Sequence, residues 1–128
     1  MLRVVICTVV AALMLIAFSL RETAQLKSCK VTANEFNETA KLLESVNHEK
    51  NLEQRRRMTK RAMQAVEELA KKTRECGCEK PTANFNTAAV HLRHAREVGS
   101  YRQIATYVHR AIDEINASAD SMETCGLR

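Results

Sequence analysis

The chain has 128 residues and carries 20 Lys+Arg against 15 Asp+Glu, a formal net charge of +5, with 45% hydrophobic residues. That length accommodates one domain rather than two, and three Gly with one Pro are too few for a turn-rich sandwich or barrel, so an all-α fold is favoured. The absence of Trp, with only two Tyr and three Phe, argues against an aromatic-lined pocket or a base-stacking platform.

Residues 1–19 read as an export signal. Met1-Leu2-Arg3 is a short cationic start, Val4 to Phe18 is an uncharged run of fifteen residues, and Ser19-Leu20 ends at Arg21. Such a run suits a signal-peptide core and is short for a membrane span of about 20 residues. Ala17 and Ser19 supply the small residues that cleavage after Ser19 needs. If uncleaved, residues 4–20 form a signal anchor and the only membrane contact. Cys7 lies inside the apolar run with no Cys just behind it, which argues against a lipoprotein. Either way the expectation is export to the periplasm or the extracellular space. Loss of Arg3 leaves +4 on the exported part, which opens with a spacer at 20–28.

Four cysteines follow, Cys29, Cys76, Cys78 and Cys125, and permit three pairings. Cys29 and Cys78 are 49 residues apart, as are Cys76 and Cys125. Laid over 78–126 without a gap, 29–77 also matches Phe36 with Phe85, Asn37 with Asn86, Ala40 with Ala89, Leu43 with Leu92 and Gln54 with Gln103. Arg61-Ala62 falls on Arg110-Ala111, Ala70 on Ala119 and Gly77 on Gly126. These are eleven identities in 49 columns, where unrelated segments of average composition share about three. The domain at 29–126 is therefore read as a tandem duplication, with copies at 29–77 and 78–126.

In the first copy Thr32-Ala-Asn-Glu35 has the form of a capping box, and Phe36, Ala40 and Leu43 make the first apolar stripe. Asn51 is an N-cap for the next helix, with Thr59, Ala62/Met63, Val66, Leu69/Ala70 and Thr73 at helical spacing. In the second copy Phe85, Ala88/Ala89, Leu92 and Ala95 form one stripe. Gly99-Ser100 interrupts, Ser100-Tyr-Arg-Gln103 repeats the capping-box form, and Ile104, Val108, Ala111, Ile115, Ala119 and Met122 form the last stripe. No stretch alternates with period two for long enough to be a strand. Each copy reads as a helical hairpin with helices of about 16–24 residues, roughly 24–36 Å long.

Antiparallel helices bring their outer ends together, so duplication and geometry predict bridges within each copy, Cys29–Cys76 and Cys78–Cys125. Pairing Cys76 with Cys78 would close a strained ring. Each bridge closes about 48 residues and contributes about 4 kcal/mol in the chain-entropy model, which matters for an Ala-rich, thin core. The stapled hairpins are expected to form a four-helix bundle, with side-by-side solenoid stacking as the alternative. The competing chemistry is a zinc site or thiol-redox centre at Cys29/Cys76/Cys78/Cys125, favoured in a reducing compartment and disfavoured behind an export signal.

The unusual surface is Arg55-Arg56-Arg57-Met58-Thr59-Lys60-Arg61, at the start of the second helix. The matching columns read Ile104-Ala105-Thr106-Tyr107-Val108-His109-Arg110, and the copies carry +3 and −1. Cations there oppose the positive end of the helix dipole. Although basic runs are ordinarily solvated faces, Arg55, Arg56, Arg57, Lys60 and Arg61 are the candidate site for an anionic protein, lipid or envelope polymer. Nucleic acid is a poor candidate without aromatic interleaving.

His91 and His94 are three apart on one helix, a spacing that allows a shared metal, but a helical wheel puts His94 opposite the apolar stripe and His91 at its flank. Surface histidines and no cofactor are the expectation. No catalytic constellation is found: there is no nucleophile elbow, no phosphate-cradling glycine loop and no HExxH. Asn37-Glu-Thr39 and Asn116-Ala-Ser118 fit the N-glycosylation pattern inside predicted helices, where a helix-packing or polar-contact role is the simpler expectation. The sequence thus favours an exported, non-catalytic binding or adaptor module. The alternatives are metal or thiol chemistry, or a structural spacer or oligomerising unit.

Overall fold

The computed structural model describes residues 31–125. The signal or anchor at 1–19, the spacer at 20–28, Cys29 and Gly126 lie outside these residues. Four helices follow one another: α1 (Ala33–His48), α2 (Leu52–Glu75), α3 (Glu79–Glu97) and α4 (Tyr101–Thr124), with no strand among the described residues. Their lengths are 16, 24, 19 and 24 residues.

The 49-residue offset reappears in the backbone. α2 shifted by that amount gives both ends of α4, and α1 shifted likewise ends where α3 ends. The start signals correspond too: the Asn51 side chain accepts from the Gln54 N–H, and the Ser100 hydroxyl from the Gln103 N–H. At Thr32 the capping box is complete, because Glu35 returns a hydrogen bond to the Thr32 N–H at 3.1 Å. At Ser100 it is half made. The Gln103 side chain accepts from the Ser100 hydroxyl rather than from its backbone, so that prediction is corrected to a single cap. α3 starts one turn earlier than its counterpart, at Glu79, and takes Pro81 into its first turn, where the missing N–H has no intrahelical partner to lose.

Each helix packs on its two neighbours in a ring, α1 on α2, α2 on α3, α3 on α4, and α4 back on α1. This is a closed helical bundle, which removes the solenoid alternative. Hairpin tips at 49–51 and 98–100 share one end, where the Tyr101 hydroxyl donates to the Glu49 carbonyl at 2.8 Å. The opposite end is the base. There the 76–78 turn reverses the chain through Gly77 at φ 75°. Its N–H reaches the Arg74 carbonyl at 3.0 Å, and the Cys78 N–H reaches that of Thr73 at 2.9 Å, the paired closure that a glycine beyond a helix end permits. Lys72 of α2 pairs with Glu35 of α1, and the Thr82 hydroxyl donates to that of Thr73 at 2.9 Å.

Cys78 and Cys125 form a disulfide with Cα atoms 5.9 Å apart, closing the α3–α4 hairpin. It is the one bridge between described residues. The other expected bridge, Cys29–Cys76, rests on a residue outside them.

The core centres on Val66, Phe85, Leu92, Ile104, Val108, Ala111 and Ile115, all at most 1% exposed. The second-copy stripes are buried as expected, save that Ala119 is half-buried and Ser118 lies inside in its place, its hydroxyl bonded to the Ile115 carbonyl. The first stripe needs correction. α1 buries Thr39, Leu43 and Val46, while Phe36 and Ala40 are half-buried. Thr39 tolerates burial because its hydroxyl donates to the Glu35 carbonyl at 2.8 Å. Phe36 instead lies 6.2 Å from Phe85, edge-tilted across the bundle.

Candidate binding surface at the bundle tip

Helical spacing distributes the five cations of the basic run around α2 rather than on one face. Arg56, Arg57, Lys60 and Arg61 are exposed. Arg57 forms an i−4 ion pair with Glu53 at 2.7 Å and donates to Gln54. Arg56, Lys60 and Arg61 have no carboxylate within ion-pair distance among the described residues. Arg57, Lys60 and Arg61 wall a shallow groove of about 370 Å³ with Met58, Gln54 and Gln64. This is a surface that can meet an extended anion and does not enclose a small molecule.

Arg55 departs from the sequence expectation. It is fully buried, at 0% exposure, and is the largest wholly buried side chain of the described residues. Its Nη2 donates to the Asn47 carbonyl at 3.1 Å and to Asn47 Oδ1 at 3.0 Å. The guanidinium carbon lies 3.7 Å from the centre of the Tyr101 ring, a stacking that an aromatic face favours for a cation. Nε and Nη1 are buried with no hydrogen-bond acceptor. At the matching column of the second copy stands Ile104, equally buried.

Tyr101, 41% exposed, covers the guanidinium, and Leu52, at the equivalent first position of α2, is 39% exposed. Sequence reasoning missed Tyr101 and Asn47 as companions of the cluster. A signal was available: steps of three and four from Ala62 through Thr59 back to Arg55 place Arg55 on the buried stripe, as Ile104 is on its own.

The remaining candidates are dispersed. His94 is exposed, its ring 5.5 Å from that of Tyr107 and its Nδ1 3.9 Å from Glu97. His91 is half-buried. Among the described residues no three His, Cys, Asp or Glu side chains are placed to hold a metal ion, and Cys78 and Cys125 are bonded to each other. Asn37 and Asn116 are both exposed, so the helix-packing alternative for Asn37 is corrected to a solvent-facing position. Two other shallow grooves flank α1. One, of about 310 Å³, has Glu35, Glu38 and Glu68 around Leu42 and Ala65. The other, of about 340 Å³, lies between Phe36, Asn37 and Ala119, Met122. Beside Lys72 the Glu35 carboxyl is held below its ordinary value of 4.5, chiefly by the lysine's hydrogen bond, and Lys72 is raised by the same contact.

No described helix is long and apolar enough to cross a membrane. No family model, curated protein or solved structure matches the chain.

Proposed function

We propose that the protein is an exported, non-catalytic helical binding module whose first hairpin tip holds an acidic protein partner. The observation that carries this reading is the contrast between two copies of one scaffold. Where the second copy has Ile104-Ala105-Thr106-Tyr107-Val108-His109-Arg110, the first has five cations in seven residues, four of them exposed. The scaffold needs no more than one cation at those columns, Arg110 standing opposite Arg61, since the second copy folds into the same helix without the other four. Their position near a helix N-terminus is electrostatically unfavourable, so stability does not account for them.

The staple at Cys29–Cys76 belongs to the same proposal, by analogy with Cys78–Cys125. A chain so clamped at the base offers its opposite end, about 36 Å away along a 24-residue helix, to a partner. An N-terminal anchor, if retained, would enter at the base, because Val31 and the start of α1 lie there, and would leave the tip pointing outward.

The test is charge reversal of the exposed set, Arg56→Glu, Arg57→Glu and Arg61→Glu together, followed by crosslinking in the native host. Arg55 stays unchanged, because a carboxylate at its buried position would disrupt the fold. The variant should keep its helical signal and melting temperature and lose the crosslinked protein. An unchanged crosslinking pattern refutes the site.

A further inference from the structure

We infer that Arg55 is a carboxylate socket at the bundle tip and Tyr101 its movable cover: an acidic side chain of the protein partner displaces the tyrosine ring and takes the guanidinium's unused donors. This rests on the proposed anionic partner and specifies how that partner is held.

Burial comes first. A guanidinium with two nitrogens out of reach of both water and acceptors is unfavourable in a bundle interior, and the second copy fills the same column with Ile104. The free protein gives Arg55 one amide to bond, Asn47, and one ring to stack on. No carboxylate forms an ion pair with it among the described residues. A planar cation in this state is matched by a carboxylate, which accepts two parallel N–H groups.

Access follows from the cover. Tyr101 is the first residue of α4, so no preceding helical turn stands in the way of its side chain rotating outward. Besides the stacking, one hydrogen bond holds it, from its hydroxyl to the Glu49 carbonyl in the tip loop. The residue is already 41% exposed.

The surroundings indicate a protein rather than a membrane. Leu52 supplies an exposed apolar shoulder at the equivalent position of α2. Exposed Lys50, Arg56 and Arg102 provide a cationic approach, and exposed Glu53 and Glu97 interrupt it. A continuous anionic lipid surface would be repelled by those two carboxylates. An Arg and a Tyr beside an apolar rim are the residues that anchor protein interfaces.

The experiment follows the arginine side-chain Nε–H resonances of the oxidised full chain by nitrogen-edited NMR while hexaglutamate peptide is added. Vesicles of phosphatidylcholine and phosphatidylglycerol are run in parallel. The Arg55 resonance is expected to shift downfield as its Nε–H gains an acceptor, together with the Tyr101 ring signals. Arg55→Ile, which copies Ile104, should weaken the peptide at least about tenfold, and Arg55→Lys likewise, because lysine lacks the planar fork. Tyr101→Phe keeps the ring and removes the latch, and should tighten binding about threefold. If the Arg56, Arg57 and Arg61 resonances move while Arg55 stays still, the socket is refuted and the basic surface stands. If no arginine responds to the peptide, both fall. Binding to the vesicles alone overturns the inference in favour of a lipid surface.

Discussion

Arg55→Ile should make the protein more stable, although it deletes the largest buried side chain of the described residues. The guanidinium is wholly buried, with Nε and Nη1 lacking acceptors. Each such orphan costs about 1–3 kcal/mol, so their removal returns roughly 2–6 kcal/mol. Against this stand the stacking on Tyr101 at 3.7 Å, worth about 1–2 kcal/mol, and the bonds to Asn47. That residue is half-buried, so water can replace the donor and the loss is about 1 kcal/mol. Isoleucine is smaller and shorter than arginine, so some of the space under Tyr101 is left unfilled, but Ile104 packs fully buried at the matching column of the second copy. These contributions put the variant between about 1 kcal/mol less and about 4 kcal/mol more stable, with the centre about 1.5 kcal/mol in its favour, or roughly 5–10 °C in melting temperature for a domain of this size. Thermal and urea unfolding of the oxidised full chain, with Arg55→Ala as the cavity control, measure it. An isoleucine variant that melts at or below the wild type would show that the buried cation supports the fold and that its burial carries no cost for a partner to relieve.

Two further predictions concern the base. Glu35→Gln preserves the capping-box acceptor for the Thr32 N–H and removes the charge facing Lys72. Because the pair is part-exposed, the loss near neutral pH should be under about 1 kcal/mol. The folded carboxyl lies below its ordinary 4.5, so this contribution is present above that value and disappears as pH falls through the lowered one. The difference in urea midpoint between wild type and variant should therefore shrink toward acid pH, and a constant difference would refute the assignment. Replacing Cys78 and Cys125 by Ser together should cost up to about 4 kcal/mol through the released loop. A loss under about 1 kcal/mol in oxidising buffer would mean that the helices alone hold the hairpin closed.

How far the fold was legible depended on the kind of signal. The Cys phase and the cap residues Thr32, Asn51 and Ser100 placed the helices well, because caps act through local hydrogen bonds that sequence spells out. The first stripe was less legible. Thr39 reads as polar, yet a threonine in a helix can satisfy its hydroxyl on the preceding turn and enter a core, and Val46 completes the face that Phe36 was expected to lead. The tip hid more. A charged letter reads as surface, so Arg55 was grouped with Arg56 and Arg57, whereas its spacing from Thr59 and Ala62 already set it on the inward face. Tyr101 was invisible for another reason. It meets Arg55 from the other copy, across a contact between α4 and α2 that no local pattern encodes.

The two ends of the bundle thus answer different physical demands. At the base, a disulfide, a glycine-closed turn, the Lys72–Glu35 pair and the Thr82–Thr73 hydroxyl bond fix all four helices. At the tip, the polar links are the exposed Tyr101–Glu49 bond, the hold of Arg55 on Asn47 and the stacking of Arg55 on Tyr101. Local opening follows such gradients, since segments with few buried contacts and solvent-exposed hydrogen bonds separate first. A charge deficient in partners is best tolerated where opening costs least, and a stapled base lets the tip open without unravelling the bundle. On the proposed function, the division also accounts for where the copies differ. A second aliphatic residue at Arg55 would have closed the tip as firmly as Ile104 packs its own column, and the opening proposed to admit a partner would then compete with a complete apolar core.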